Sequence, residues 1–166
     1  MIRNSALHKA TTGRDRKIRR RVSLLMWKTW GYIANLPHRR RLNFECHPIA
    51  RAISLVIPEL KLVNGNYLGL RLSCAKGKRA LILKQCRHSW LVTPDGAILD
   101  PYPVGFTTMD VVLVATKGPY KHFGGALYWP NENVMAEVNR RKIKRRSIVL
   151  AQHMRTVEAA QAKGGQ

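Results

Sequence analysis

Three residues of different chemistry follow one another along this chain, and together they are the parts of a cysteine acyl-transfer site. Cys46 carries a thiol, His88 an imidazole and Asp100 a carboxylate. A thiolate attacks an acyl carbon, an imidazole takes and returns the proton, and a carboxylate on the second ring nitrogen fixes the tautomer. Such a set works only if the fold gathers it. Cys46 opens the stretch Cys46, His47, Pro48, whose proline suits a first helical turn, while His88 and Asp100 flank Thr93, Pro94, Asp95 and Gly96, a turn by composition.

The elements that must position these groups are legible from periodicity. Ile49, Ala52, Ile53 and Val56 recur at helical spacing and Pro58 stops the run, so a short buried helix is expected with Cys46 at its positive end. Residues 14–35 read as a longer helix, basic at its start and apolar later, with Trp27 and Trp30 three apart on one face. Beyond Pro58 the period changes. Leu60–Val63 and Tyr67–Leu72 read as strands joined by a tight turn at Asn64 and Gly65, Ala75–Arg79 as a polar loop, and Leu81–Val92 as a longer strand. Ala97–Asp100 is its return strand and Asp110–Ala115 a further one. The expected class is α+β, a cysteine-bearing helix packed on an antiparallel sheet of about four or five strands. From an N-cap at Asn131 a basic helix runs to about Ala162, its stripe of Val134, Val138, Ile148 and Val149 broken enough to suggest an arm more than a core element.

Around the turn, His88 and Asp100 fall at the same end of neighbouring strands roughly 4.8 Å apart, where side chains on one face meet. Trp90 shares the face of His88 and is expected to wall the site and bind substrate. Asp95 reads as a turn former, and His47, beside Cys46 on a helix, as a structural residue that points elsewhere. Cys86 and His88, taken with Cys46 and His47, nominally offer four soft ligands, but without a Cys-x-x-Cys pair no metal or cofactor is expected. Gly65 and Gly69 lack the helix and Lys-Ser or Lys-Thr of a phosphate loop.

Charge separates the middle of the chain from its ends. Of 30 Lys and Arg against 9 Asp and Glu in 166 residues, 12 basic and 2 acidic side chains lie in residues 1–45, and 8 and 1 in residues 140–166. The expected organisation is a basic N-terminal arm (1–42), an α+β core (43–130) and a basic C-terminal helix and tail (131–166). Arg19, Arg20, Arg21, Arg39, Arg40, Arg41, Arg140, Arg141, Lys142, Lys144, Arg145 and Arg146 are the candidate contacts to nucleic acid or another polyanion. The basic-then-aromatic helix of residues 14–35 also suits attachment to an anionic membrane surface, although nothing is long and apolar enough to span a bilayer. Three cysteines without a secretory h-region point to a reducing, cytoplasmic setting, while the Arg-rich N-terminus also fits an organellar transit peptide.

Cys46 on a helix, His88-x-Trp90 on a strand and Asp100-Pro101 after a turn together resemble the core of the transglutaminase-like superfamily, a papain-like arrangement. The resemblance covers about residues 43–105. It implies Cys46 as nucleophile, His88 as base and Asp100 as the orienting acid, acting on a protein or peptide substrate by crosslinking, deamidation, peptide hydrolysis or amide hydrolysis in cell-wall peptides. The alternative expectation is a non-enzymatic nucleic-acid-binding protein that uses its basic ends on an inactive scaffold.

Overall fold

In the computed structural model, residues 11–37, 45–75, 78–102, 112–114, 121–123, 126–131, 133 and 140–164 are described, the backbone alone for 69–75, 78–84, 112–114, 121–123, 126–127, 140 and 163–164. Helix α1 (Gly13–Ala34) begins at a capping box: the Thr12 hydroxyl accepts from the Asp15 amide and the Asp15 carboxylate accepts from the Thr12 amide, at 3.0 and 3.1 Å. Ile18, Val22, Leu25, Met26, Thr29 and Ile33 form its buried stripe. Helix α2 (Cys46–Val56) buries both Cys46 and the apolar positions that the periodicity singled out.

The sheet holds six described strands where four or five were expected. Strands β1 (Lys61–Ala75), β2 (Lys78–Val92), β3 (Ile98–Asp100), β4 (Val112–Val114), β5 (Lys121–Phe123) and β6 (Ala126–Pro130) pair antiparallel in the order β4-β3-β2-β1-β6-β5. The expected turn at Asn64 and Gly65 is instead the interior of β1, and residues 78–79 of the expected loop belong to β2. Gly65 is there for close approach: a Cβ at this position would come 1.8 Å from the Trp129 carbonyl oxygen and 2.6 Å from the Trp90 ring. Asn64 serves as an acceptor within the strand, taking a hydrogen bond from the Ser89 hydroxyl at 2.6 Å.

Helix α3 (Arg140–Gly164) closes the molecule. The expectation that it is an arm is corrected: Leu150, Ala151 and Met154 lie in one core with Val22, Leu25 and Met26 of α1 and Ile49, Ala50 and Ile53 of α2. Its buried stripe of Ile143, Ser147, Leu150, Ala151 and Met154 has a different phase from the expected one, and Ile148 and Val149 are 43% and 40% exposed. Small Ser147 and Ala151 admit the neighbouring helix, a packing role that counting large apolar residues overlooks. Residues 132 and 134–139, the first part of the expected helix, lie outside the described residues; at 131–133 the Asn131 side chain accepts from the Asn133 amide at 3.0 Å. The N-terminal segment likewise contributes α1 to the common core, so the division into arms and core describes charge and not packing.

Candidate active site

The side-chain alternation of β2 and β3 divides two clusters. Leu91 and Leu99 join the helix-lined core, while Trp90 and Ile98 join Tyr67 and Tyr128 in a second, aromatic one. His88 has the parity of Trp90. Leu91 pairs with Leu99, so Asp100, one step on, faces Trp90 and lies diagonally from His88, within reach of a side-chain bond. The bond is made: His88 Nε2 and Asp100 Oδ2 are 2.7 Å apart, with both side chains fully buried. Asp100 also accepts from the Tyr128 hydroxyl at 2.9 Å and from the Tyr102 amide at 3.0 Å. Tyr67, Trp90 and Tyr128 surround the imidazole, their ring centroids 5.3, 6.2 and 6.2 Å from its own.

With Nε2 committed to Asp100, the nitrogen left for chemistry is Nδ1, which is buried and has no hydrogen-bond partner. Cys46 is its neighbour in electrostatic terms. Burial pushes the Cys46 thiol up, but the neighbouring His47 and His88 imidazoles outweigh it and hold the thiol at about 6, against an ordinary 9.0. Burial likewise pushes His88 down, yet the Asp100 carboxylate, with help from Cys46, raises it to about 10. The favoured state at neutral pH is therefore a thiolate beside an imidazolium. The Sγ atom makes its long contact, 4.0 Å, with the Arg87 carbonyl, and no close bond joins it to Nδ1.

His47 departs from expectation. It does not point away from the site but supports the thiol, and its Nδ1 lies 2.6 Å from Ser89 Oγ. Ser89 gives its hydroxyl hydrogen to Asn64 Oδ1, so it accepts from His47 Nδ1. Asn64, Ser89 and His47 thus form a chain that fixes a second imidazole beside Cys46. The sequence carried a signal for this in the adjacent Cys46 and His47 and in Ser89, between the two residues already singled out. Tyr67 and Tyr128 were also missed, Tyr67 because Asn64 and Gly65 read as a turn and not as the interior of one strand, and Tyr128 because strand β6 was not anticipated.

Trp90, expected to bind substrate, is 1% exposed and packs on His88 and Tyr128; it walls the imidazole and does not reach solvent. Asp95 is in the turn as expected, where Gly96 takes φ +86° and the Thr12 hydroxyl donates to the Asp95 carboxylate. At the start of α2 the Glu45 side chain makes no capping bond, Pro48 has no N–H, and the Ile49 amide bonds the Glu45 carbonyl at 3.2 Å. The amides of Cys46 and His47 are thereby left as candidate donors to an oxyanion. Among the described residues, no group of three or more His, Cys, Asp or Glu side chains could hold a metal ion.

The basic candidates are scattered in environment. Arg20, Arg141, Lys142, Lys144 and Arg145 are exposed, Arg19 and Arg146 are half-buried, and Arg21 pairs with Glu158 at 2.6 Å. Arg39, Arg40 and Arg41, and the side chain of Arg140, lie outside what is described. No described helix is long and apolar enough to cross a membrane. The apolar stripe of α1 is spent on the core; Leu24 and Trp27, 46% and 65% exposed, are what it offers to a surface.

Compared with protein-family models, with curated proteins and with solved structures, the chain matches none.

Proposed function

We propose that the protein is a cysteine-dependent enzyme that transfers or hydrolyses acyl groups of amide or peptide bonds, as its resemblance to transglutaminase-like proteins implies. The observation that carries this reading is the buried His88–Asp100 pair, whose free nitrogen belongs to an imidazole coupled to the Cys46 thiol. In the first half-reaction Sγ attacks the carbonyl carbon, and the oxyanion takes hydrogen bonds from the Cys46 and His47 amides. The C–N bond then breaks, His88 protonates the departing amine from Nδ1, and a Cys46 thioester remains. In the second, water or an amine attacks the thioester while His88 takes its proton, releasing acid or a new amide and restoring the thiolate. Asp100 holds the imidazole ring through its bond to Nε2.

Turnover of a peptide amide by the wild-type chain, lost in a Cys46→Ala variant with an unchanged circular dichroism spectrum, is the expected result. Full activity in that folded variant would overturn the reading.

A second reading is favoured by the exposed Arg141, Lys142, Lys144 and Arg145 along α3: binding of nucleic acid without catalysis. Each neutralised phosphate of duplex DNA contributes about −0.9 to the slope of log affinity against log salt. Absence of binding at low salt removes this reading.

A further inference from the structure

The contacts between the three helices fix their relative directions. Arg14, at the start of α1, pairs with Glu59 just beyond the end of α2 at 2.8 Å, so α1 and α2 run antiparallel. Arg21 pairs with Glu158, and Tyr32 stacks on His153 with ring centroids 4.3 Å apart, so α1 and α3 are antiparallel too. Helices α2 and α3 therefore run parallel. Their register is set by the Arg155 guanidinium, which donates to the Leu55 carbonyl at 2.9 Å. Counting back equally from that contact brings Arg146 level with Cys46, and α3 continues to Arg140, about 9 Å further at 1.5 Å per residue.

That geometry places most of the described carboxylates at the end remote from Cys46. Asp15, Glu59, Asp95 and Glu158 belong to the end remote from Cys46, each engaged there by Thr12, Arg14 or Arg21. At the Cys46 end, α3 carries exposed Arg141, Lys144 and Arg145, and among the described residues the exposed carboxylate nearby is Glu45. Asp100 is buried and committed to His88.

We propose that this cationic end of α3 selects the substrate, so that the amide attacked at Cys46 is carried by an acidic peptide. The inference rests on the nucleophilic role of Cys46. A phosphodiester backbone would satisfy the charge but offers the thiol no amide, which favours a peptide as the source of the anions.

The test uses three peptide chloromethyl ketones of one length and one central residue, flanked by Glu, by Gln or by Lys. Labelling of Cys46 in the full chain is followed by mass spectrometry, and each rate is divided by the rate of iodoacetamide with the same protein. The Glu-flanked reagent is expected to exceed the Gln-flanked one about tenfold at low ionic strength, as electrostatic focusing allows. The ratio should fall towards one in about 0.5 M salt and in an Arg141→Gln, Lys144→Gln, Arg145→Gln variant. Equal ratios for the three peptides, or preference for Lys, overturn the proposal, as does a triple variant that loses single-stranded DNA binding while no acidic preference exists in the parent. Failure of iodoacetamide to label Cys46 in folded protein has a different meaning: it removes the nucleophile, and the substrate preference with it.

Discussion

The ionic state of the Cys46–His88 pair makes a prediction in which reactivity and stability respond differently to pH. With the thiol at about 6, roughly nine-tenths is thiolate at pH 7; at the ordinary 9.0 it would be about one-hundredth, a difference near ninetyfold. Nucleophilicity falls with basicity, and a three-unit drop gives back roughly twentyfold. The net gain in rate at pH 7 is only about fourfold, so the midpoint of the pH profile is diagnostic and the absolute rate is not. Reaction of Cys46 with a neutral aromatic disulfide, followed by mass spectrometry of the Cys46 peptide, should rise with a midpoint near pH 6. In Asp100→Asn the imidazolium loses its counter-ion, His88 gives up its proton at lower pH, and the Cys46 midpoint should climb by about one unit or more. The signs for stability oppose each other. The depressed thiol contributes stability that is present above pH 9 and lost as pH falls through about 6, and the raised imidazole contributes stability that is present below pH 6.5 and lost as pH rises through about 10. Between 6.5 and 9 the folded and unfolded pairs hold the same number of protons, so the two slopes cancel while reactivity is already maximal. A wild-type midpoint near 9, or one indifferent to Asp100→Asn, would refute this reasoning.

Other perturbations bear on the scaffold. Gly65→Ala must push β6 or the Trp90 ring aside, and should cost about 1–3 kcal/mol or more in urea denaturation while slowing Cys46 labelling; an unperturbed variant would contradict the close approach. Ser89→Ala leaves His47 Nδ1 without its acceptor and Asn64 Oδ1 without its donor, costing about 1–3 kcal/mol and raising the Cys46 midpoint, which the same disulfide assay reads. Leu150→Ala should destabilise by about 2–5 kcal/mol and Ile148→Ala, on the exposed side of α3, by much less; equal small effects in thermal melts would return α3 to the status of an arm.

The sequence made some of this legible because local signals and tertiary packing agree. Pro48 and Pro58 bracket α2, the turn at 93–96 aligns β2 with β3, and the parity of His88 and Asp100 survives folding unchanged. Where long-range contact decides, local reading fails. Asn64 and Gly65 look like a turn until the Trp129 backbone and the Trp90 ring occupy the space a Cβ would fill. His47 looks idle until β2 delivers Ser89 to it, and Asp100 gains Tyr128 from a strand that periodicity did not mark. The phase of α3 was misread because Ser147 and Ala151 pack by being small. The charge runs, in turn, marked the ends of the chain correctly but concealed that both ends supply core helices.

The central claim is that Cys46 forms a covalent acyl intermediate with His88 as its acid and base. Its most direct measurement is rapid acid quenching of the chain with a peptide amide substrate, followed by mass spectrometry of the intact protein and of the Cys46 peptide. A thioester adduct confined to Cys46, absent from folded Cys46→Ala and strongly reduced in folded His88→Ala, is the predicted result. Turnover with no adduct, or an adduct that persists in Cys46→Ala, would contradict it.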